Sequence, residues 1–312
     1  MNTLKKDISF IIPAFNEEDF IYEVIKSIRN GDMPFSYEII VVDHNSTDTT
    51  ASIAKSLSAK VVTKKGGAIA SVRNSGVTKS LGEVLVFLDS DVTLTKEWFQ
   101  HIGEVINELQ KNPYMVSGSH CSPPDNSNWI EHYWFHTYIE EKNVTNLGTG
   151  HMIVTRKLFD RVGGFNESLS TGEDYDFCMR VRKQGGEIVN NPHLRAIHHG
   201  YPKNIWNFIQ REAWHGIGDV SSLKSIYHSK VAVAALLFLM LHLAGITFLL
   251  FKLPTFITTL PFLGIIGLLV LSSYYKYGHC SIRVIIINSI IFYFYYFGRM
   301  LSFFTLLSRN RN

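Results

Sequence analysis

Four acidic groups in this chain are placed to do chemistry. Asp89-Ser90-Asp91 closes the apolar run Glu83–Asp89 (EVLVFLD), and Asp43 closes Glu38–Asp43 (EIIVVD). Pro13-Ala14-Phe15-Asn16-Glu17 follows the apolar run Ile8–Pro13, and Glu173-Asp174 opens a helical pattern over Glu173–Lys183. An apolar run that ends in acid reads as a buried strand with carboxylates at its exit. In an extended Asp-x-Asp, one carboxylate can face a hard divalent cation while the other faces a nearby hydroxyl. Mg²⁺ or Mn²⁺ held this way neutralises a diphosphate. A carboxylate at the start of a helix can take a proton from an attacking hydroxyl. The plain alternative for Glu173-Asp174 is charge that complements the helix N-terminus.

These groups need a frame that brings strand ends together. Residues 8–120 alternate short apolar runs with helical patterns. Asn16 is expected to cap a helix with Glu17, Glu18 and Asp19 in its first turn and Phe20, Ile21, Val24, Ile25 and Ile28 on one face. Further helices are expected over Asp48–Leu57, Ala68–Thr78 and Lys96–Leu109, with a strand at Lys60–Thr63. The predicted class is α/β, a mostly parallel Rossmann-like sheet with helices on both faces. In such sheets ligands bind beyond the carboxyl ends of the strands, which is where the acids stand. Residues 120–200 are less regular, with an extended piece at His151–Thr155 and a closing segment at Arg195–His199.

Composition divides the chain. All 27 acids and 24 of the 30 Lys and Arg precede Val231, and the last 82 residues carry six bases and no acid. An acid-free apolar tail suits a bilayer. The positive excess sits in that tail, so the net charge of +3 does not point to nucleic acid. Three spans are predicted, at about 231–251, 253–275 and 284–307. Residues 203–229, with Trp206, Phe208, Ile209 and Trp214 beside Arg211 and Lys224, read as an amphipathic segment at the membrane surface or as a core-packed helix. The expected domains are therefore 1–202, 203–229 and 230–312. Lys230, Lys276 and Arg283 suit the cytoplasmic side, which puts the N-terminal domain on that face. A simple third span then leaves Arg309 and Arg311 outside, unless that segment is re-entrant or interfacial around Arg299. Cys121, Cys178 and Cys280 show neither metal spacing nor a disulfide framework.

Taken together, SFIIPAFNEE, EIIVVDHNSTDTT, VRNSG at Val72–Gly76, VFLDSD, and the stretch from GHMIVTRK to EDYDFCMRVRKQGG resemble a family 2 glycosyltransferase of GT-A fold. The resemblance covers roughly residues 7–215. It implies that Pro13, Ala14, Phe15 and Glu17 line a pocket for the nucleotide base and ribose, and that Asp43 bonds the base, typically uracil. It puts Arg73 near the base or diphosphate, Asp89 and its neighbour Ser90 against ribose and sugar, and Asp91 on the metal. It matches Asp174 of the Glu173-Asp174 pair to the catalytic base, and His198 or His199 to a late metal-binding histidine. Gln210, Arg211 and Trp214 resemble, with looser spacing, a segment that closes over the diphosphate. His44 stands where the family often has a second acid.

The function implied is inverting transfer of a sugar from a nucleoside diphosphate donor, with Mn²⁺ or Mg²⁺. The anchor argues for a membrane-associated acceptor, such as a polyprenyl-linked saccharide or a glycolipid. Two other readings follow from the same residues. One is direct charging of polyprenyl phosphate, which Lys203, Arg211 and Lys224 permit. The other is a non-catalytic nucleotide-sensing scaffold, which would not need the full set of carboxylates. His151 is expected either to touch acceptor or metal, or to be a satisfied core histidine. Trp129, Trp134, Phe135 and Tyr138 are candidates for stacking on sugar or lipid, or for plain packing.

Overall fold

The computed structural model describes residues 6–135, 143–220 and 222–309, with side chains to residue 304; Tyr138 and Arg311 lie outside the described residues. The chain forms two compact units. The first is Met1–Asp125 with Ile139–Tyr201, and the second is Asn126–Tyr138 with Pro202–Asn312.

The first unit is built on strands β1 (Lys6–Ala14), β2 (Tyr37–Asp43), β3 (Lys60–Thr63), β4 (Gly82–Leu88), β5 (Val92–Leu94), β6 (Met115–Gly118), β7 (His151–Thr155), β8 (Glu187–Asn190) and β9 (Ala196–His198). Seven of them form one sheet in the order β3-β2-β1-β4-β7-β6-β8, and β5 pairs with β9. β1 is parallel to β2 and β4, β2 to β3, and β6 to β8. β7 runs antiparallel to β4 and β6. The sheet is therefore mixed but mostly parallel. Of the seven strands, β7 alone runs against its neighbours.

The apolar runs are continuous because both faces of the sheet are covered. Ile8, Phe10, Ile12, Ile39, Val41, Val84 and Val86 pack on one side with Ile21, Val24, Ile25 and Ile28 and with Trp98, Ile102 and Val105. Their alternates Ile11, Ile40, Val42, Leu85 and Phe87 face the other side, against Val72, Phe159, Phe165 and Phe177. The period-2 alternation of strand side chains thus splits each run between two cores. Strand order reverses beside β1, so the carboxyl ends of β1 and β4 flank a crevice.

One expectation at that crevice is corrected. The helix after β1 begins at Ile21, with Phe20 at its N-cap, so Asn16 caps nothing. Asn16 takes a left-handed φ of 54°, and its Oδ1 accepts from the Thr47 N–H at 2.9 Å. An Asn tolerates that conformation and ties the loop after β1 to the loop after β2.

The second unit contains helices Ile205–Asp219, Leu223–His228, Lys230–Leu250, Thr255–Tyr277 and Ile282–Arg309, with a π-helical turn at Glu131–Phe135. Lys230–Leu250, Thr255–Tyr277 and Ile282–Phe304 are long and apolar enough to cross a membrane. The third hydrophobic segment is one unbroken helix. Its Arg299 donates to Glu212 and Asp219, both at 3.0 Å, on helix Ile205–Asp219. That helix packs along the third apolar helix, where a Cβ on Gly216 would collide with Ser302. It buries Phe208, Ile209, Glu212 and Gly216 while Trp206 and Trp214 stay exposed. Trp134 is buried against Phe208 and Phe292, and Trp129 is exposed. Residues 126–135, expected within the domain 1–202, contribute to the helical core instead.

Candidate active site

The loops after β1, β2 and β4 meet at the crevice and are fixed by their own polar groups. Asp43, at the end of β2, is buried, and its Oδ1 accepts from the Ser46 N–H at 3.1 Å. Glu18 Oε2 accepts from the Thr49 N–H and hydroxyl at 3.0 and 2.6 Å, and the Glu17 N–H donates to Thr50 Oγ1 at 2.8 Å. Phe15 is largely exposed and faces the His44 ring edge-on, with centroids 6.1 Å apart. Pro13 and Ala14 lie in β1, paired with Val42 and Asp43. Glu17 reaches Ser90 through its side chain; burial pushes its carboxyl up to about 7, with Asp89, Asp48 and Asp19 adding to the rise.

At the end of β4, Asp89, Asp91 and His198 each offer a ligand atom, all within 4.8 Å of one another. His198 Nε2 lies 3.6 Å from Asp91 Oδ2. Donors held about 2.1 Å from one ion sit roughly 3–4 Å apart, so this spacing suits a small divalent cation. Two carboxylates and an imidazole form a hard-to-borderline donor set that fits Mn²⁺, and also Mg²⁺ completed by water. β9 supplies His198 by pairing it with Val92, next to Asp91. The His198 ring stacks on Tyr201 at 4.1 Å and 11°. Gly200 leaves the necessary room, because a Cβ there would collide with the Asp91 carboxylate. His199 Nε2 instead lies 2.8 Å from the Thr93 hydroxyl. The structure therefore joins His198, and not His199, to the Asp pair.

Behind this cluster is a buried ion pair network. Arg73, on helix Ile69–Thr78, contacts Asp89 Oδ1 and Glu173 Oε1, each at 2.6 Å. Arg73 and Glu173 are 4% and 6% exposed. The guanidinium is thus committed to two carboxylates and fixes where both point. Burial raises the Glu173 carboxyl; Arg73 opposes the rise, and Asp174 and Asp89 add to it. Asp174 is more open. Its Oδ1 accepts from the Tyr175 N–H at 2.7 Å. Burial raises it as well, with that N–H and Arg73 opposing and Asp89 adding. Helix Glu173–Lys183 starts after Gly172, whose φ of 80° turns the chain into it. Arg180 pairs with Asp176 one turn back, at 2.8 Å.

His151 is a core residue. It is fully buried, and the Trp98 indole donates to its Nε2 at 2.8 Å. Burial lowers its pKa to about 3, so it is neutral. Arg211 and Trp214 belong to the helical unit, on helix Ile205–Asp219. Arg211 contacts Glu212 at 2.7 Å and lies over Phe135, and Trp214 is half exposed. Sequence reasoning missed the Arg73 bridge, the Glu17–Ser90 link and Gly200. The first two join residues far apart in the chain, and a glycine's role shows only once its neighbours are placed.

Residues 9–163 match the family model described as glycosyl transferase family 2. The chain carries a family 2 glycosyltransferase domain. Among curated relatives, it is 28% identical over 197 residues to glycosyltransferase AglE of Haloferax volcanii, covering 58% of this chain and 63% of that one. It is 27% identical over 189 residues to the poly(ribitol-phosphate) beta-N-acetylglucosaminyltransferase TarS of Staphylococcus aureus, covering 58% and 33%. The chain thus spans less than two thirds of the length of either relative. The fold is GT-A. Similar solved structures include a mannosyltransferase from Pyrobaculum calidifontis in complex with GDP-Man and Mn²⁺, with TM-score 0.52, 18% identity, and coverage of 70% of this chain and 66% of that one. S. aureus TarS gives TM-score 0.50 at 22% identity, with coverage of 70% and 40%.

Proposed function

We propose that this protein is an inverting glycosyltransferase that moves a sugar from a nucleoside diphosphate donor, a UDP-sugar, to a hydroxyl of a membrane-associated acceptor. A polyprenyl-linked saccharide or a glycolipid fits that acceptor. The observation that carries the reading is the convergence of Asp89, Asp91 and His198 with the Arg73–Glu173 pair and Asp174 at the strand ends. The GDP-Man and Mn²⁺ of the Pyrobaculum enzyme support a nucleotide-sugar and a divalent cation here. Curated relatives named for dolichyl-linked substrates support a lipid-linked acceptor.

Asp91 and His198, with Asp89 beside them, would hold Mn²⁺ or Mg²⁺. When bound, the cation supplies charge stabilisation for the departing diphosphate. Asp43 bonds the base, while Pro13, Ala14, Phe15 and Glu17 enclose base and ribose, and Asp89 and Ser90 orient ribose and sugar. Arg73 acts as a positioning residue through Asp89 and Glu173, and Glu173 in turn steadies the start of the helix that carries Asp174. Asp174 accepts the proton of the acceptor hydroxyl as its oxygen bonds the anomeric carbon. The bond from that carbon to the diphosphate oxygen breaks, and the single displacement inverts the centre. A carboxyl raised by burial is a stronger base than a free aspartate, as this role requires. We assign the catalytic domain to the cytoplasmic face on the positions of Lys230, Lys276 and Arg283.

The test is the anomeric configuration of the product by NMR, made with a donor of known configuration. Inversion is expected. Retention would refute the single displacement, and transfer to polyprenyl phosphate that survives Asp174→Asn would replace the hydroxyl acceptor with direct lipid charging.

A further inference from the structure

The helical unit holds a cavity of about 1080 Å³ that the site at the strand ends does not use. Val231, Leu271 and Phe292 give it apolar walls, and Trp134 and Tyr295 add aromatic ones. Its two lysines are gathered at one end. Helices Lys230–Leu250 and Thr255–Tyr277 run back on each other through the short link 251–254. Lys230 opens the first helix and Lys276 closes the second, so both sit at the same end of the hairpin, and both line the cavity.

Among the described residues neither lysine has an ion pair. Glu212 is the one acid among the cavity's lining residues, and it is shared between Arg211 at 2.7 Å and Arg299 at 3.0 Å. Arg299 spends its other nitrogen on Asp219. The Lys276 ammonium lies over the faces of Trp134 and Tyr277, 4.0 and 4.9 Å from their centroids. Among the described residues no carboxylate pairs with it. Aromatic faces offset part of the cost of such a charge beside apolar helices, but they leave its hydrogen-bond donors open. A lysine at the end of a membrane-length helix is a point charge suited to phosphate. The wall that continues from it suits a hydrocarbon chain.

We propose that this cavity binds a lipid with a terminal phosphate or diphosphate. The headgroup meets Lys276 and Lys230, and the first part of the chain lies along Val231, Leu271 and Phe292. The inference rests on the membrane-acceptor reading above and gives that acceptor a chemical class: its lipid carrier ends in phosphate. The apolar wall and the charge together are those of an amphiphile site, since a free anion would leave the apolar wall in water.

The test is lipid binding by the purified full chain in detergent, followed by native mass spectrometry without donor or metal. The probes are decaprenyl monophosphate, decaprenol, phosphatidylglycerol and inorganic pyrophosphate. Decaprenyl monophosphate is expected to bind saturably. Lys276→Gln should weaken it about tenfold or more, the loss of a charge-assisted bond, and Lys276→Arg should keep most of the binding. An unchanged melting temperature in both variants reports that the fold is intact. Equal binding of decaprenol or of phosphatidylglycerol would overturn the proposal, as would pyrophosphate binding as tightly as the lipid, or no loss in Lys276→Gln. Because donor is absent, retained lipid binding by a chain that transfers no sugar would sink the transferase reading and leave the cavity assignment standing.

Discussion

Replacing Arg73 by methionine removes the one cation between two carboxylates of the site. Asp89 keeps about a third of its side chain in solvent (32%), so its share of the loss is that of a surface pair, under about 1 kcal/mol. Glu173 is different: its side chain is 8% exposed, and it would be left charged and buried. Breaking a buried pair by deleting one partner costs about 3–5 kcal/mol. At roughly 2–4 °C per kcal/mol for a unit of this size, the melting temperature should fall by about 10 °C or more. The pH dependence carries the sign. Burial already holds the folded Glu173 carboxyl above its unfolded value. Its charged form therefore disfavours folding, by an amount that grows as pH rises from the unfolded value through the folded one. Without Arg73 the folded value rises further, so the loss should be larger at pH 8 than at pH 5. Arg73→Met/Glu173→Gln should recover much of the stability and flatten the slope. The assay is thermal unfolding of the full chain in detergent across that pH range. Melting of Arg73→Met within about 2 °C of the parent at pH 8 would refute the claim that this pair is a buried structural clamp.

Three further outcomes follow from the same geometry. Asp174→Asn should lower kcat by about 10²–10⁴-fold, the usual contribution of a positioned base, while calorimetry shows donor affinity nearly unchanged. Gly200→Ala places a methyl group against the Asp91 carboxylate. It should weaken Mn²⁺ binding, read by electron paramagnetic resonance, by about 10–100-fold, with Ser90 and Glu17 undisturbed. Glu17, held near 7, makes the folded state less stable as pH rises from about 4.5 to about 7. Glu17→Gln should remove that part of the slope in a melting series.

The site was legible where chemistry coincides with a strand end. Asp43 and Asp89 announce themselves because buried parallel strands are apolar throughout and stop at the crevice. Lys60–Thr63 and Glu173–Lys183 are likewise plain in the sequence, and both elements stand at those bounds. Short strands were not. Met115–Gly118 and Glu187–Asn190 are four residues each and gain their identity from partners elsewhere in the chain. The helix expected at Asn16 begins five residues later because an Asn bonding across to Thr47 competes with its capping role. The unpaired look of Arg299 in an apolar run is explained by Glu212 and Asp219, some 80 residues away in the chain, a distance over which local patterns carry no information. The choice between His198 and His199 is of the same kind: both sit where β9 ends, and only their contacts, Asp91 for one and Thr93 for the other, separate them.

The central claim is that the acids at the strand ends of this chain drive sugar transfer from a nucleotide donor. The most direct measurement is release of nucleoside diphosphate from a panel of nucleotide sugars by the purified protein in lipid, with Mn²⁺ or Mg²⁺ and a membrane lipid extract. The account predicts release from one donor class that needs both metal and extract, and that collapses in Asp91→Asn and in Asp174→Asn. Absence of release and of binding with every donor would contradict it, as would release that both variants retain in full.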